Sequence, residues 1–107
     1  MATIEKGAGF LTLINIFSVA PDKQAKLIEL LMKATDETMK YLPGFVSASI
    51  HRSLDGRKVV NYAQWKSMAD FDAMRKNPLA VPHMKAAAAL AEFEPILCEV
   101  CDSVSAK

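Results

Sequence analysis

In Phe45-Val46-Ser47-Ala48-Ser49-Ile50-His51-Arg52-Ser53, Leu54-Asp55-Gly56-Arg57 and Lys58-Val59-Val60-Asn61-Tyr62-Ala63-Gln64-Trp65-Lys66, two runs rich in β-branched and aromatic residues flank an Asp-Gly pair. The pattern predicts a β-hairpin, because Asp and Gly accept the backbone angles of a tight turn and the flanking side chains suit a pleated surface. Upstream, Leu11-Thr12-Leu13-Ile14-Asn15-Ile16-Phe17-Ser18-Val19 reads as a strand that stops at Ala20-Pro21-Asp22, a helix start with Pro in its first turn. Leu27, Ile28, Leu31, Met32, Met39 and Leu42, with Thr35 in the gap, recur at helical spacing, so one long helix is expected up to Pro43-Gly44. Downstream, Ser67-Met68-Ala69-Asp70 has the form of a helix cap with an acid three residues on, and Asn77-Pro78 breaks that helix. A further helical piece is expected from about Pro82 to Leu90, and a last strand over Glu94 to Val104. The order β-α-β-β-α-β predicts an α+β, ferredoxin-like fold with a four-stranded antiparallel sheet.

At 107 residues the chain suits one domain. Residues 10–104 are expected to form it, with residues 1–9 as an N-terminal extension and 105–107 as a tail. The formal net charge of +1, with acids and bases intermixed, leaves no basic stripe for phosphates or anionic lipid, so neither nucleic acid nor a membrane surface is an expected partner. The first nine residues lack the apolar core of a signal peptide and no apolar run nears the ~20 residues of a membrane span, which predicts a cytoplasmic protein. Cys98 and Cys101 have Cys-x-x-Cys spacing, but residues three apart on an expected strand point to opposite faces. The pair therefore reads as two reduced core thiols rather than a redox or metal site.

Two helices cover only one face of a four-stranded sheet. Here the strands are apolar on both faces: Leu11, Leu13 and Phe17 alternate with Ile14 and Ile16, and Val60 and Tyr62 alternate with Val59, Ala63 and Trp65. An uncovered apolar face of that size predicts a homodimer in which two sheets pack face to face about a two-fold axis.

Three side chains that hydrogen-bond or stack stand in the otherwise apolar hairpin strands: His51, Asn61 and Trp65. A polar group on a buried sheet costs about 1 to 3 kcal/mol without a partner, so each is either satisfied within the fold or held for a ligand. Asn61 and Trp65, four apart, leave one face about 13 Å apart along the strand. A ligand of two or three fused rings bridges that span. Whether His51 joins them depends on the turn. A two-residue loop pairs His51 with Val60 and sends it to the other face, whereas an odd loop or a bulge pairs it with Val59 or Asn61, and that second register is expected. Asn15, between Ile14 and Ile16, and His83, in Val81-Pro82-His83-Met84-Lys85 at a helix start, are further candidates for ligand or acid–base roles. Plainer readings stand beside these: a strand Asn often satisfies a neighbouring backbone group, a strand Trp often fills a core, and a lone His often caps a helix or lies at the surface. The sequence carries no cluster at metal spacing, no Gly-rich phosphate loop and no Gly-x-Ser-x-Gly elbow. An enzyme built on it is expected to work without metal, flavin or nucleotide.

Leu42-Pro43-Gly44-Phe45-Val46-Ser47-Ala48-Ser49-Ile50-His51, then Asp55-Gly56, then Val59-Val60-Asn61-Tyr62-Ala63-Gln64-Trp65-Lys66-Ser67 resembles the antibiotic biosynthesis monooxygenase domain of the dimeric αβ-barrel superfamily, and the likeness extends over about Phe10 to Val104. Within that family it is most similar to the cofactor-independent, quinone-forming type of the actinorhodin pathway. The resemblance implies a homodimer that oxidises a small aromatic substrate, a polycyclic phenol or anthrone, to a quinone with molecular oxygen as co-substrate and no cofactor. Carried over position by position, it implies that Asn61 and Trp65 hold the substrate's oxygen functions and assist oxygen activation, with His51 in the same pocket. The family's pocket tyrosine falls at Phe71, which keeps the ring without the hydroxyl, and its arginine falls at or beside Met84, with Lys85 the nearest cation. The likeness also reaches haem-degrading relatives, which use a first-strand Asn, matched by Asn15, a helix Trp, whose place Met74 takes, and a His near His83. Without that Trp, haem degradation is disfavoured. The implied set is Asn61, Trp65 and His51 as catalytic residues, with Asn15, Phe71, Met74, His83 and Lys85 around the substrate. A non-catalytic small-molecule-binding dimer, an isomerase, or a stress-related or haem-binding protein on the same fold is the alternative.

Overall fold

The computed structural model describes residues 2–107. Strands β1 (Leu11–Ser18), β2 (Phe45–Arg52), β3 (Lys58–Trp65) and β4 (Glu92–Cys98) form one antiparallel sheet in the order β2-β3-β1-β4. Helices α1 (Gln24–Glu37), α2 (Met68–Lys76) and α3 (Val81–Leu90) complete the ferredoxin-like arrangement, the second helical limb being split into α2 and α3 at Asn77-Pro78. Among the described residues no helix is long and apolar enough to cross a membrane.

Strand alternation puts Leu13, Asn15 and Phe17 of β1 and Val59, Asn61, Ala63 and Trp65 of β3 on the helix-covered face, with Ile14, Ile16, Val60, Tyr62 and Gln64 on the other. The helix-side core is divided. Leu13, Ala63, Trp65, Phe71, Met74 and Ala80 form one cluster, and Phe17, Val19, Leu27, Val59 and Ala87 form a second. Burying each large side chain of this kind contributes about 1.5–3 kcal/mol. Between the two clusters, at the middle of β1 and β3, stand the directly paired Asn15 and Asn61.

The helix expected to run unbroken from Pro21 to Leu42 is instead a 3₁₀ turn (Pro21–Lys23), α1, and a second 3₁₀ turn (Met39–Tyr41). Thr38 leaves helical geometry at φ −132°, and Pro43 forces Leu42 into an extended conformation, ψ 146°. The last strand spans Glu92–Cys98, not Glu94 to Val104: its ladder with β1 runs from Ser18, opposite Glu92, to Thr12, opposite Cys98, and stops there. Cys101 therefore lies beyond the sheet and is exposed, Cys98 is half-buried, and both are free thiols rather than core residues.

The hairpin turn also differs from expectation. Gly56 N–H donates to Ser53 carbonyl (3.2 Å), Ser53 N–H donates to Lys58 carbonyl (3.0 Å), and Gly56 adopts φ +80°. Ser53 Oγ–H and Arg57 N–H both donate to Asp55 Oδ1, at 2.7 and 3.0 Å, and hold the Asp55 carboxyl below its ordinary value, the Ser53 hydroxyl contributing most. Buried Gln24 ties this turn to the start of α1 through Nε2–H bonds to the Ser53 and Lys58 carbonyls, at 3.1 and 3.0 Å. Four residues, an even number, separate Ser53 from Lys58, so the strand register keeps its parity and His51 pairs with Val60. A bulge does occur, but at Val46, before His51 in the chain, where it cannot alter that pairing.

Candidate active site

The bulge at Val46 acts on Phe45, bringing it opposite Trp65 on the helix side while Ser47 faces the other way and donates its Oγ–H to Gln64 Oε1 at 2.6 Å. Phe45 and Trp65 meet edge to face, with ring centroids 5.5 Å apart and planes at 88°. Gly44 sets up this corner: at φ +82° it donates no side chain, and a Cβ there would fall inside the Asp70 carboxyl group. Asp70 belongs to the cap of α2, where Ser67 Oγ accepts from Asp70 N–H at 3.1 Å. The cap fixes α2 so that Phe71, Met74 and Arg75, at i, i+3 and i+4, face the sheet's aromatic corner.

Between sheet and helices lies a cavity of about 160 Å³ that opens to solvent. Its sheet wall includes Leu13, Asn15, Phe17, Ala48, Asn61, Ala63 and Trp65; α1 and the turn after it contribute Leu31, Thr35 and Met39; α2 contributes Phe71, Met74 and Arg75; α3 contributes His83 and Met84; and Phe93 and Pro95 of β4 complete it. The wall is apolar apart from a few groups. The side-chain carboxamide oxygens of Asn15 and Asn61 are buried and, among the described residues, have no hydrogen-bond partner. Each such oxygen costs about 1–3 kcal/mol of stability, and fold-stabilising packing would favour apolar residues here. His83, in the first turn of α3, is fixed by a 3.0 Å hydrogen bond between its Nε2 and the Thr38 hydroxyl at the end of α1. The non-helical angles of Thr38 thus coincide with a contact that orients a cavity-lining imidazole.

Of the residues picked out from sequence, Asn61, Trp65, Asn15, Phe71, Met74 and His83 line this cavity. His51 does not. Paired with Val60, it projects from the opposite face, exposed, with Nδ1 3.1 Å from the Ser49 carbonyl. Lys85 also stands apart: two residues beyond His83 on a helix it points about 200° away, and it is exposed. The Cys pair takes no part. Sequence reading missed Phe45, which the unread bulge turns inward, and Arg75, which the i, i+3, i+4 spacing from Phe71 would have found. Among the described residues no group of three or more His, Cys, Asp and Glu is placed to hold a metal ion.

The family described as "Antibiotic biosynthesis monooxygenase" matches residues 10–90. Tetracenomycin-F1 monooxygenase of Streptomyces glaucescens is 46% identical over 106 residues, which cover 99% of this chain and 95% of that protein. Among solved structures, SnoaB from Streptomyces nogalater, described as a cofactor-independent oxygenase, matches with a TM-score of 0.79 and 26% identity over 91% of this chain and 98% of that one. The monooxygenase from the gene ActVA-Orf6 of Streptomyces coelicolor, solved in complex with nanaomycin D, matches with a TM-score of 0.79 and 28% identity over 92% of this chain and 93% of that one.

Proposed function

Because the chain belongs to the antibiotic biosynthesis monooxygenase family and is therefore an oxidoreductase, we propose that it oxidises a polycyclic phenol or anthrone to a quinone with molecular oxygen and without a cofactor. The observation that carries this reading is the facing pair Asn15 and Asn61, whose carboxamide oxygens are buried and, among the described residues, without partners, in the floor of an apolar cavity beside the chain's single Trp. A carboxamide oxygen left without a donor accepts from a substrate hydroxyl, and the N–H of the same group donates to a substrate carbonyl or enolate oxygen. A cavity of about 150 Å³ admits a benzene ring. The cavity here thus holds about one ring between Trp65 and the Asn pair, and further rings extend toward the opening.

The chemistry follows from what each group can do. An anthrone methylene or phenol reacts with oxygen only after losing a proton, and the resulting enolate oxygen is stabilised by the carboxamide N–H groups of Asn61 and Asn15. Neither carboxamide accepts that proton, nor does the Trp65 indole or the Arg75 guanidinium. His83 does, and the Thr38 hydroxyl keeps its ring in place. The enolate passes one electron to oxygen, and the radical pair recombines at carbon to a peroxide anion that takes the proton back from His83. Loss of the remaining C–H proton and of hydroxide, together one water, leaves the new carbonyl. All electrons come from the substrate, so the balance is one methylene and one O₂ to one carbonyl and one H₂O. SnoaB, described as cofactor-independent, supports this reading.

A second copy of the chain is proposed to cover the far sheet face, where Ile14, Ile16, Val60, Tyr62 and Ile96 form an apolar stripe. The function is tested by oxygen uptake and quinone absorbance with dithranol or another anthrone. The wild type should exceed buffer, and Asn61→Ala and Asn15→Ala should each lose about 10²- to 10³-fold in kcat. Quinone formation no faster than in buffer, together with a saturable response of Trp65 fluorescence to the same compounds, favours the alternative of a binding protein. A Soret band on titration with hemin that His83→Ala removes favours a haem site instead.

A further inference from the structure

We infer that Arg75 is a specificity determinant that reads a carboxylate on the aromatic substrate, so that the protein prefers acidic polycyclic compounds to neutral ones of the same shape. For the substrate's aromatic body the inference rests on the reading just given. Among the described residues Arg75 is the only Lys, Arg, Asp or Glu side chain that lines the cavity; the other polar groups of the wall are the Asn15 and Asn61 carboxamides, the His83 ring and the Thr35 hydroxyl, which donates to the Leu31 carbonyl. Its guanidinium carbon lies 5.7 Å from the centre of the Phe71 ring, and Phe71 is 5% exposed, so the cation sits over a fixed aromatic wall. The nearest acid, Asp72, is 3.6 Å from Nη1, longer than the 2.7–2.9 Å of a charge-assisted hydrogen bond, and so holds the side chain loosely without consuming its donors.

Position decides which substrate group it meets. Arg75 is exposed on α2 and belongs to the rim, whereas the Asn pair lies in the buried floor. With one ring held at the floor, the rings that extend outward bring their substituents to the rim. A carboxylate on such a ring is coplanar with it and presents two oxygens to the guanidinium fork, the geometry in which Arg differs most from Lys. Among the described residues no acidic side chain lines the cavity to oppose it.

The test reads binding rather than turnover. Trp65 is the only Trp and lines the cavity, so quenching of intrinsic fluorescence reports occupancy directly. The probes are anthraquinone-2-carboxylate and anthraquinone-2-carboxamide, equal in shape and already oxidised. Wild type should bind the carboxylate about five- to tenfold more tightly, a preference that shrinks at high salt. Arg75→Gln should lose the preference while its affinity for the carboxamide stays within twofold, and Arg75→Lys should keep only part of it. Equal affinities in the wild type, a preference that survives Arg75→Gln, or no saturable quenching by either probe would each overturn the inference. If the preference holds but anthrones are not oxidised, the carboxylate subsite stands and the oxygenase reading falls; turnover without the preference gives the reverse.

Discussion

Asn61→Leu should make the protein both more stable and inactive. Among the described residues the Asn61 side-chain oxygen is buried without a partner, which costs about 1–3 kcal/mol. Leu has nearly the same shape, and the group it extends faces an open cavity of about 160 Å³, so no overpacking offsets the gain. The facing Asn15 oxygen already lacks a partner, and the substitution orphans nothing new. A net gain of about 1–2 kcal/mol is expected, at roughly 4–8 °C of Tm per kcal/mol for a domain of about 100 residues. The assay is thermal unfolding by circular dichroism without ligand, at one fixed protein concentration because association shifts Tm. The same variant loses the donor that stabilises the enolate oxygen, and kcat should fall by about 10²- to 10³-fold. An Asn61 that merely serves the fold gives the opposite pattern: a Tm lowered by several degrees with turnover retained. That result would refute the reasoning.

His83→Ala should depress kcat far more than KM, and added imidazole, small enough for the vacated space, should restore part of the rate; Thr38→Val should show a milder form of the same defect. Gly44→Ala should destabilise by about 3 kcal/mol or more, read as a shift in urea midpoint, because the new Cβ collides with Asp70 at a backbone angle that costs any side chain. Asp55→Ala should show pH-dependent destabilisation: the folded state holds the carboxyl below its ordinary value, so its stabilising contribution is complete above the ordinary value and fades as pH falls through the depressed one. Urea midpoints of wild type and variant should therefore differ at neutral pH and converge in acid. Tyr62→Asp, on the far sheet face, should halve the particle mass measured by light scattering if a second copy covers that face.

Element types were legible because their signals are local: alternation in the hairpin, the Ser67 cap with Asp70, and the Asn77-Pro78 break all appear where the residues predict them. Errors arose where geometry depends on a distant partner. β4 ends where its ladder with β1 stops, at Cys98 opposite Thr12, and the Thr38 break coincides with a contact to His83, 45 residues away. The site was legible in part. Asn61 and Trp65 share a face by simple parity, whereas His51 was misplaced because the parity of the Leu54 to Arg57 loop is not written in Asp-Gly alone. The pairing of Asn15 with Asn61 is a long-range register that no local pattern encodes. Arg75 was overlooked because a cation was sought near Met84 and Lys85, on a different helix.

Oxygen isotope labelling tests the central claim most directly. Chelator-treated, haem-free protein is given an anthrone under ¹⁸O₂, and the product is analysed by mass spectrometry. Substrate-carbanion attack on oxygen at the Asn15–Asn61 floor predicts one ¹⁸O in each new carbonyl, one O₂ consumed per quinone, and loss of both in Asn61→Leu. A product no more abundant than in buffer, or one whose new oxygen derives from water, contradicts it.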